Sequence, residues 1–433
     1  MPPSIAVVVL DTLRYDAFSR AFDWLPGRRF SKAYSTSHWT VPAHASLHTG
    51  RYASEVGVHS KSPTLDCPNP TLAETLDSEG YQTRCFSANP NIVYWDGWER
   101  GFDEVIAPAR LDPKNEDLVD WDEFTRDTDL RGLWKFPSAV RHCLRADCPT
   151  LPALWQGYCH FMQSPADGGT KAITERVRTT DFEENEFLFI NLMETHTPYH
   201  SSDREPISLD IGDAFAGAVG STDKIKSAYG ASVEYLAETY RDLYTALNTD
   251  FEYIITLSDH GEMLGEDGMW NHGYGLYPEL THIPLIIDGP DLSGGTHTHP
   301  VSLLDVYQTT TELAGANTDS RGQNLLNGPD ARAFLTEYHG FLPSHREQFE
   351  RKGLPDDLYK KRDPALYGIV TANGEYVYDT HTKGLQGSNI ANEEELHAQL
   401  DSMIDSINQR SIDGTEPGFD DDVEQRLEDL GYA

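Results

Sequence analysis

The chain has 433 residues carrying 34 Lys or Arg against 70 Asp or Glu, a formal charge of −36, with 38% hydrophobic and 11% aromatic residues. Its 8 Trp, 21 Tyr and 17 Phe supply ample core, which excludes a disordered acidic tail protein and predicts one large domain or two unequal ones. A surface this negative repels phosphate backbones, and no Lys/Arg cluster forms a local basic groove, so the composition argues against a nucleic-acid partner.

At the N-terminus the apolar run Ile5 to Leu10 ends in an acid and has no basic segment before it, so it reads as a buried strand rather than a signal peptide. No stretch approaches the roughly 18 apolar residues that cross a bilayer, so no membrane span and a soluble, cytoplasmic chain are expected. Next comes the block from Ser37 to Arg51, in which Thr40 reads as a helix N-cap with Pro42 in the first turn. Thr71 and Glu74 form a capping-box pattern ahead of Gly80, and a strand is predicted from Tyr81 to Phe86. The segment from about 105 to 180 is irregular, acidic and rich in Trp and Pro; it reads as an insertion, either roofing a site or making a surface excursion.

Apolar runs recur at Phe187 to Leu192, Tyr253 to Leu257 and Ile283 to Ile287, alternating with helical patterns at Lys224 to Leu247 and Leu303 to Leu313. The alternation predicts an α/β fold with a large, mostly parallel sheet flanked by helices. In such sheets ligands gather beyond the carboxyl ends of the strands, where Asp11, His196 and Asp259 lie. Around residue 340 the polar stretch His345 to Asp363 reads as a connector, which divides the chain into a large domain, 1–340, and a small C-terminal α+β subdomain, 341–433. In the latter, Asn373-Gly374 between two apolar runs predicts a hairpin with a type I′ turn, followed by helices near 392–408 and 421–430.

The acids are spread along the chain and Arg outnumbers Lys, the pattern of a solvated coat. Such a coat suits molar salt, where the Debye length falls to about 3 Å, so a halophilic protein is expected. The alternative is an acidic protein of an ordinary cell that binds cations or a basic partner. Five scattered cysteines, Cys67, Cys85, Cys143, Cys148 and Cys159, fit reduced thiols. Cys143, Cys148, Cys159 and His160 are also a zinc candidate, on a spacing that matches no standard pattern.

Three stretches carry chemistry. A carboxylate at the tip of a buried strand is costly unless it meets a cation, so Asp11 is either a metal ligand or the cap of the next helix. Thr40 would face the positive end of a helix dipole, where an anionic ester oxygen is held, although a Thr in that place is ordinarily a plain cap. Asp259-His260 offers one hard oxygen and one imidazole to the same cation, with His272 twelve residues on and His196 ending another strand.

In combination and in order, these pieces resemble the sulfatase family of the alkaline phosphatase superfamily. The match rests on Asp11, the block Ala45-Ser46-Leu47-His48-Thr49-Gly50-Arg51, Gly101-Phe102-Asp103, His196 with Pro198-Tyr199, Ser258-Asp259-His260-Gly261-Glu262, Leu303-Leu304-Asp305 and Leu430-Gly431-Tyr432. The resemblance implies that Asp11, Asp259 and His260 bind a divalent metal, that Thr40 is the nucleophile and touches that metal, and that His196 contacts ester oxygens. His272 falls near the position of a substrate-binding Lys, and His44 where an Arg steadies the hydrated aldehyde of typical members. Those members mature a Cys or Ser into formylglycine, which threonine cannot form, so this site looks similar to superfamily enzymes with an unmodified Thr or Ser.

The expectation is a hydrolase of sulfate or phosphate esters. Its substrates would be small molecules or glycan or lipid-headgroup esters, and its ion magnesium, manganese or calcium, with a second ion, zinc or manganese, a weaker expectation that Asn191 further weakens. The alternatives are a phosphoryl or sulfuryl transferase acting on a glycan or lipid headgroup, and a non-catalytic binding protein on a degenerate sulfatase scaffold.

Overall fold

The computed structural model describes residues 2–107, 143 and 168–410, apart from 94, 202–203, 291, 293, 388, 389 and 391. At its centre, Ile5–Leu10 lies between Tyr253–Leu257 and Glu186–Leu192, parallel to both. Gln82–Ser87 and then Glu104–Ile106 continue the parallel sheet on one side. On the other side Leu285–Asp288 runs antiparallel to Tyr253–Leu257, and Arg28–Phe30 and Gly295–His297 complete the eight strands.

All six residues of Ile5–Leu10 are buried because helices cover both faces of the sheet, which is why the strand reads as a continuous apolar run. The period of two sorts its side chains: Ile5, Val7 and Val9 enter one core with Leu47, Leu72 and Leu303, while Ala6, Val8 and Leu10 enter the other with Phe18, Leu236 and Tyr240. Each such side chain contributes about 1.5–3 kcal/mol when fully buried. The first core is roofed by Thr40–Thr49, Leu72–Ser78 and Leu303–Leu313, the second by Tyr15–Ala21 and the 29-residue helix Thr222–Asp250. Thr71 and Glu74 form the expected reciprocal cap.

A second, four-stranded antiparallel sheet orders Phe334–Tyr338, Leu366–Val370, Tyr376–Tyr378 and Gln386–Gly387, and the Glu393–Asp405 helix packs Leu400 against it. Its first strand precedes residue 341, and the Ser37 hydroxyl donates to Glu337 O at 2.8 Å, tying this sheet to the segment before Thr40.

Two expectations are corrected here. The polar stretch after 340 is helical, at Pro343–Arg351 and Asp356–Arg362, because Pro343 opens the first helix and His345, Gln348 and Phe349 give it one buried face. In the second, Asp356 and Asp357 at the start and Lys360, Lys361 and Arg362 at the end complement the helix dipole. The hairpin forms, but only Gly374 is left-handed, at φ 76°, and Gly374 N–H donates to Thr371 O at 2.8 Å. That is a three-residue loop with a bulge at glycine rather than a type I′ turn.

Among the described residues no helix is long and apolar enough to cross a membrane. Most of the expected insertion, three members of the cysteine group (Cys148, Cys159 and His160) and the helix near 421–430 lie outside the described residues.

Candidate active site

Four neighbouring parallel strands end together and deliver Asp259, Asp11, Asn191 and Asn89 to one edge of the sheet. Asp11 follows Leu10 directly, and its backbone N–H donates to Leu192 O at 3.0 Å, so the ladder persists to the site. Thr12 then turns sharply, at φ 58°, and Tyr229 on the long helix clamps the turn by donating to Thr12 O at 3.0 Å. Asp11 does not cap the next helix, which begins at Tyr15 behind Arg14. Its Oδ2 accepts from Asn89 Nδ2 at 2.7 Å and from Asn191 Nδ2 at 3.4 Å, while Oδ1 has no hydrogen-bond partner.

Thr40 is the first residue of Thr40–Thr49, and Trp39 occupies the cap position expected for it. The whole helix is buried, and residues four apart share one face, so Thr40, His44 and His48 all turn toward the sheet. Thr40 Oγ1 lies 3.3 Å from His260 Nε2. One turn on, His44 Nε2 lies 3.4 Å from Asp259 Oδ2 and 3.3 Å from Asn191 Nδ2. His48 stacks below it, its ring 6.0 Å from that of His44 and 4.7 Å from Phe189.

Asp259 and His260 sit just past Leu257. Gly261 follows because its backbone runs against the Pro278–Thr281 turn; a Cβ there would meet Glu279 O at 2.0 Å. His260 Nδ1 donates to Gly261 O at 2.9 Å, which leaves Nε2 as a lone pair facing the cleft, 3.5 Å from Asp259 Oδ2 and 3.8 Å from Asp11 Oδ1. Burial holds His260 down to about 4, so the imidazole is neutral at pH 7.

Burial and the nearby Asp259 charge push the Asp11 carboxyl well above its ordinary value. Burial works against Asp259 as well, but His260 and His44 more than offset it and hold that carboxylate below the usual range.

The far wall is also histidine. His196 and His272 lie 5.0 Å apart by ring centroid, and His272 is 4.7 Å from His260. Burial lowers His196 to about 3 and His272 to about 4. Glu262, raised to about 7 by burial, meets His272 Nδ1 at 3.2 Å and accepts from the Tyr199 hydroxyl at 2.7 Å. His38 Nδ1 lies 2.7 Å from His272 O on the opposite side.

The structure therefore brings Asp11, Thr40, His44, Asp259, His260, His196 and His272 into one buried cluster. Glu262 and Tyr199 as the supports of His272, Asn89 and Asn191 as donors to Asp11, and His38 are additions that sequence reasoning did not assign. The available signals were Glu262, two residues after His260, Tyr199, three after His196, and Asn191 near the end of its apolar run.

The donors fit a cation. Asp11, His44 and Asp259 each offer a ligand atom within 4.8 Å of the others, all three residues being buried. Asp11 Oδ1 and Asp259 Oδ2 have no hydrogen-bond partner, and two unsatisfied buried carboxylate oxygens are costly unless a positive ion compensates them.

Outside the cleft, burial also lowers His48 to about 3, His59 to about 4 and His345 to about 3. Each is uncharged when folded but binds a proton when unfolded below its ordinary 6.5, so stability present at neutral pH is lost as pH falls from there toward 4. Calorimetry of the metal-free protein should show a melting temperature that drops steeply between about pH 7 and about pH 5, with about two or more protons taken up on unfolding. An unchanged melting temperature over that interval would contradict the burial of these imidazoles.

Residues 16–316 match the family model described as Sulfatase. The chain belongs to the sulfatase family. Among curated relatives of this sulfatase-family chain, the choline-sulfatase of Rhizobium meliloti is 25% identical over 328 residues, covering 67% of this chain and 61% of that protein. The uncharacterised sulfatase YidJ of Escherichia coli is 22% identical over 347 residues, 74% of this chain and 67% of that one. The match thus spans less than two thirds of the choline-sulfatase's length.

Among solved structures, the phosphonate monoester hydrolase of Silicibacter pomeroyi superposes with a TM-score of 0.59 at 16% identity, over 93% of this chain and 94% of that one. The 2-O GAG sulfatase BT1596 gives 0.60 at 15% identity, over 94% and 92%. These likenesses establish a shared fold, the expected α/β architecture with its small antiparallel C-terminal sheet.

Proposed function

We propose that this sulfatase-family chain is a metal-dependent hydrolase of phosphate or sulfate esters in which Thr40 Oγ1 is the nucleophile. The observation that carries the reading is the place of that hydroxyl: at the start of a buried helix, 3.3 Å from His260 Nε2, beside the unsatisfied oxygens of Asp11 and Asp259.

Asp11, Asp259 and His260, with the Thr40 hydroxyl, are the residues that would hold a divalent ion. Such an ion would polarise the ester and lower the pKa of the hydroxyl, which is otherwise a weak nucleophile. The start of the Thr40–Thr49 helix offers N–H groups and a positive dipole end to the non-bridging oxygens. His196 and His272 face the same space; burial keeps them neutral, and an anion between them raises their proton affinity and turns them into donors. His272, with Nδ1 3.2 Å from Glu262, would protonate the leaving oxygen. Thr40, its hydroxyl proton released to solvent as the attack proceeds, would then carry the phosphoryl or sulfuryl group until water attacks that centre, breaking the bond to Thr40 Oγ1, which regains a proton.

An unmodified threonine favours phosphorus over sulfur, because the aldehyde hydrate that expels sulfate is absent. The purified protein with added divalent metal should therefore turn over an aryl phosphate or phosphodiester at least ~10-fold faster than the matching aryl sulfate. Cleavage of aryl sulfate alone would reverse the preference for phosphate, and inertness toward all three ester classes with every divalent ion would overturn the hydrolase reading.

A further inference from the structure

We propose that His44 is a metal ligand of this chain, and that its imidazole makes the cation site select zinc over calcium or magnesium. The inference rests on the reading above that the Asp11 and Asp259 pair holds a cation.

In the family's pattern His44 stands where an arginine would, a residue that contributes charge and hydrogen bonds and cannot ligate. Here the side chain is buried and its Nε2, one helical turn below Thr40, lies 3.4 Å from the unsatisfied Asp259 Oδ2 and within 4.8 Å of an Asp11 carboxylate oxygen. At this point the imidazole can add a nitrogen donor to the two carboxylates.

The surroundings fix where this nitrogen sits: Asn191 Nδ2, which donates to Asp11 Oδ2, also lies 3.3 Å from His44 Nε2. Ring contacts hold the imidazole in place, edge-on to Phe189 at 5.7 Å and to Trp98 at 6.5 Å, while Nδ1 has no partner. His260 Nε2 approaches the same two carboxylates, at 3.5 and 3.8 Å. Two imidazole nitrogens and two carboxylates form a donor set of zinc, whereas calcium and magnesium take oxygen ligands.

The test is metal binding itself, on the full-length metal-free protein, by calorimetry with zinc, manganese, magnesium and calcium and by visible absorption with cobalt as a spectroscopic substitute for zinc. Native protein should bind zinc at least ~100-fold more tightly than calcium or magnesium. His44→Ala should lose about 10- to 100-fold in zinc and cobalt affinity, with an altered cobalt band, while its weak calcium and magnesium affinities change little. His44→Gln keeps the volume and provides the folding control by melting temperature.

Native protein that prefers magnesium or calcium, or a His44→Ala protein with unchanged zinc affinity and cobalt spectrum, overturns the role of His44 while leaving the metal-dependent hydrolase intact. Absence of binding by any of the five ions overturns both.

Discussion

Thr40→Ala is expected to reduce kcat for phosphate-ester hydrolysis by at least ~10³-fold, with divalent-metal affinity reduced far less. The Thr40 hydroxyl opens the buried Thr40–Thr49 helix and lies 3.3 Å from His260 Nε2 at the strand ends. Thr40→Ser keeps the attacking oxygen and removes one methyl group, so it should retain activity to within about tenfold of the native protein. The two variants separate chemistry from folding: both replace a buried threonine at the first helical turn, but only one removes the hydroxyl. Equal activity of native and Thr40→Ala proteins across phosphate and sulfate esters would contradict the assignment and favour attack by water.

Asp11→Asn should have two large effects of opposite sign. Catalysis should fall by at least ~10³-fold, because the hard anionic donor at the end of the first strand is lost from the ion's ligands. The metal-free protein, by contrast, should become more stable by about 1–3 kcal/mol at neutral pH. In the absence of a cation, burial and the neighbouring Asp259 push the Asp11 carboxyl far above its ordinary 3.8. The folded state therefore holds this proton more tightly than the unfolded chain, and the carboxyl becomes a growing burden as pH rises above 3.8. Asparagine has the shape of the protonated acid without that burden, so the gain should shrink toward zero near pH 4.

Saturating metal reverses the order, since a ligand at 1,000 times its Kd stabilises the native protein by about 4.1 kcal/mol and the variant little. Thermal melts of both proteins, with and without ion and at two pH values, read all of this. A metal-free variant less stable than the native protein at neutral pH would show that Asp11 is satisfied without a cation.

What the sequence revealed follows from which interactions are local. Ile5–Leu10 with Asp11 at its end was legible because a strand buried on both faces is written as an uninterrupted Val/Ile run. Thr71 and Glu74 announced a helix start because a capping box closes within four residues. The helices after Pro343 were not legible, since only one or two residues per turn face the core and the rest of each helix is charged. Thr40 reads as the cap but is the first helical residue, because Trp39 takes the cap place without a side-chain capping hydrogen bond.

Within the cleft, the spacing of Thr40, His44 and His48 does say that all three share a helix face. That His44 meets Asp259 is a consequence of strand register between segments more than 200 residues apart, which no local pattern encodes. The same holds for Asn89 and Asn191, brought to Asp11 by the parallel pairing of three strands, Gln82–Ser87, Glu186–Leu192 and Ile5–Leu10.

Trapping the covalent intermediate tests the central claim most directly. Acid quenching during turnover of a phosphate ester, followed by peptide mass spectrometry, should find one phosphoryl group on Thr40, absent from Thr40→Ala and from protein stripped of metal. A phosphoryl group on another residue, or rapid turnover with no modified Thr40 at any quench time in native enzyme and undiminished turnover in Thr40→Ala, would contradict it.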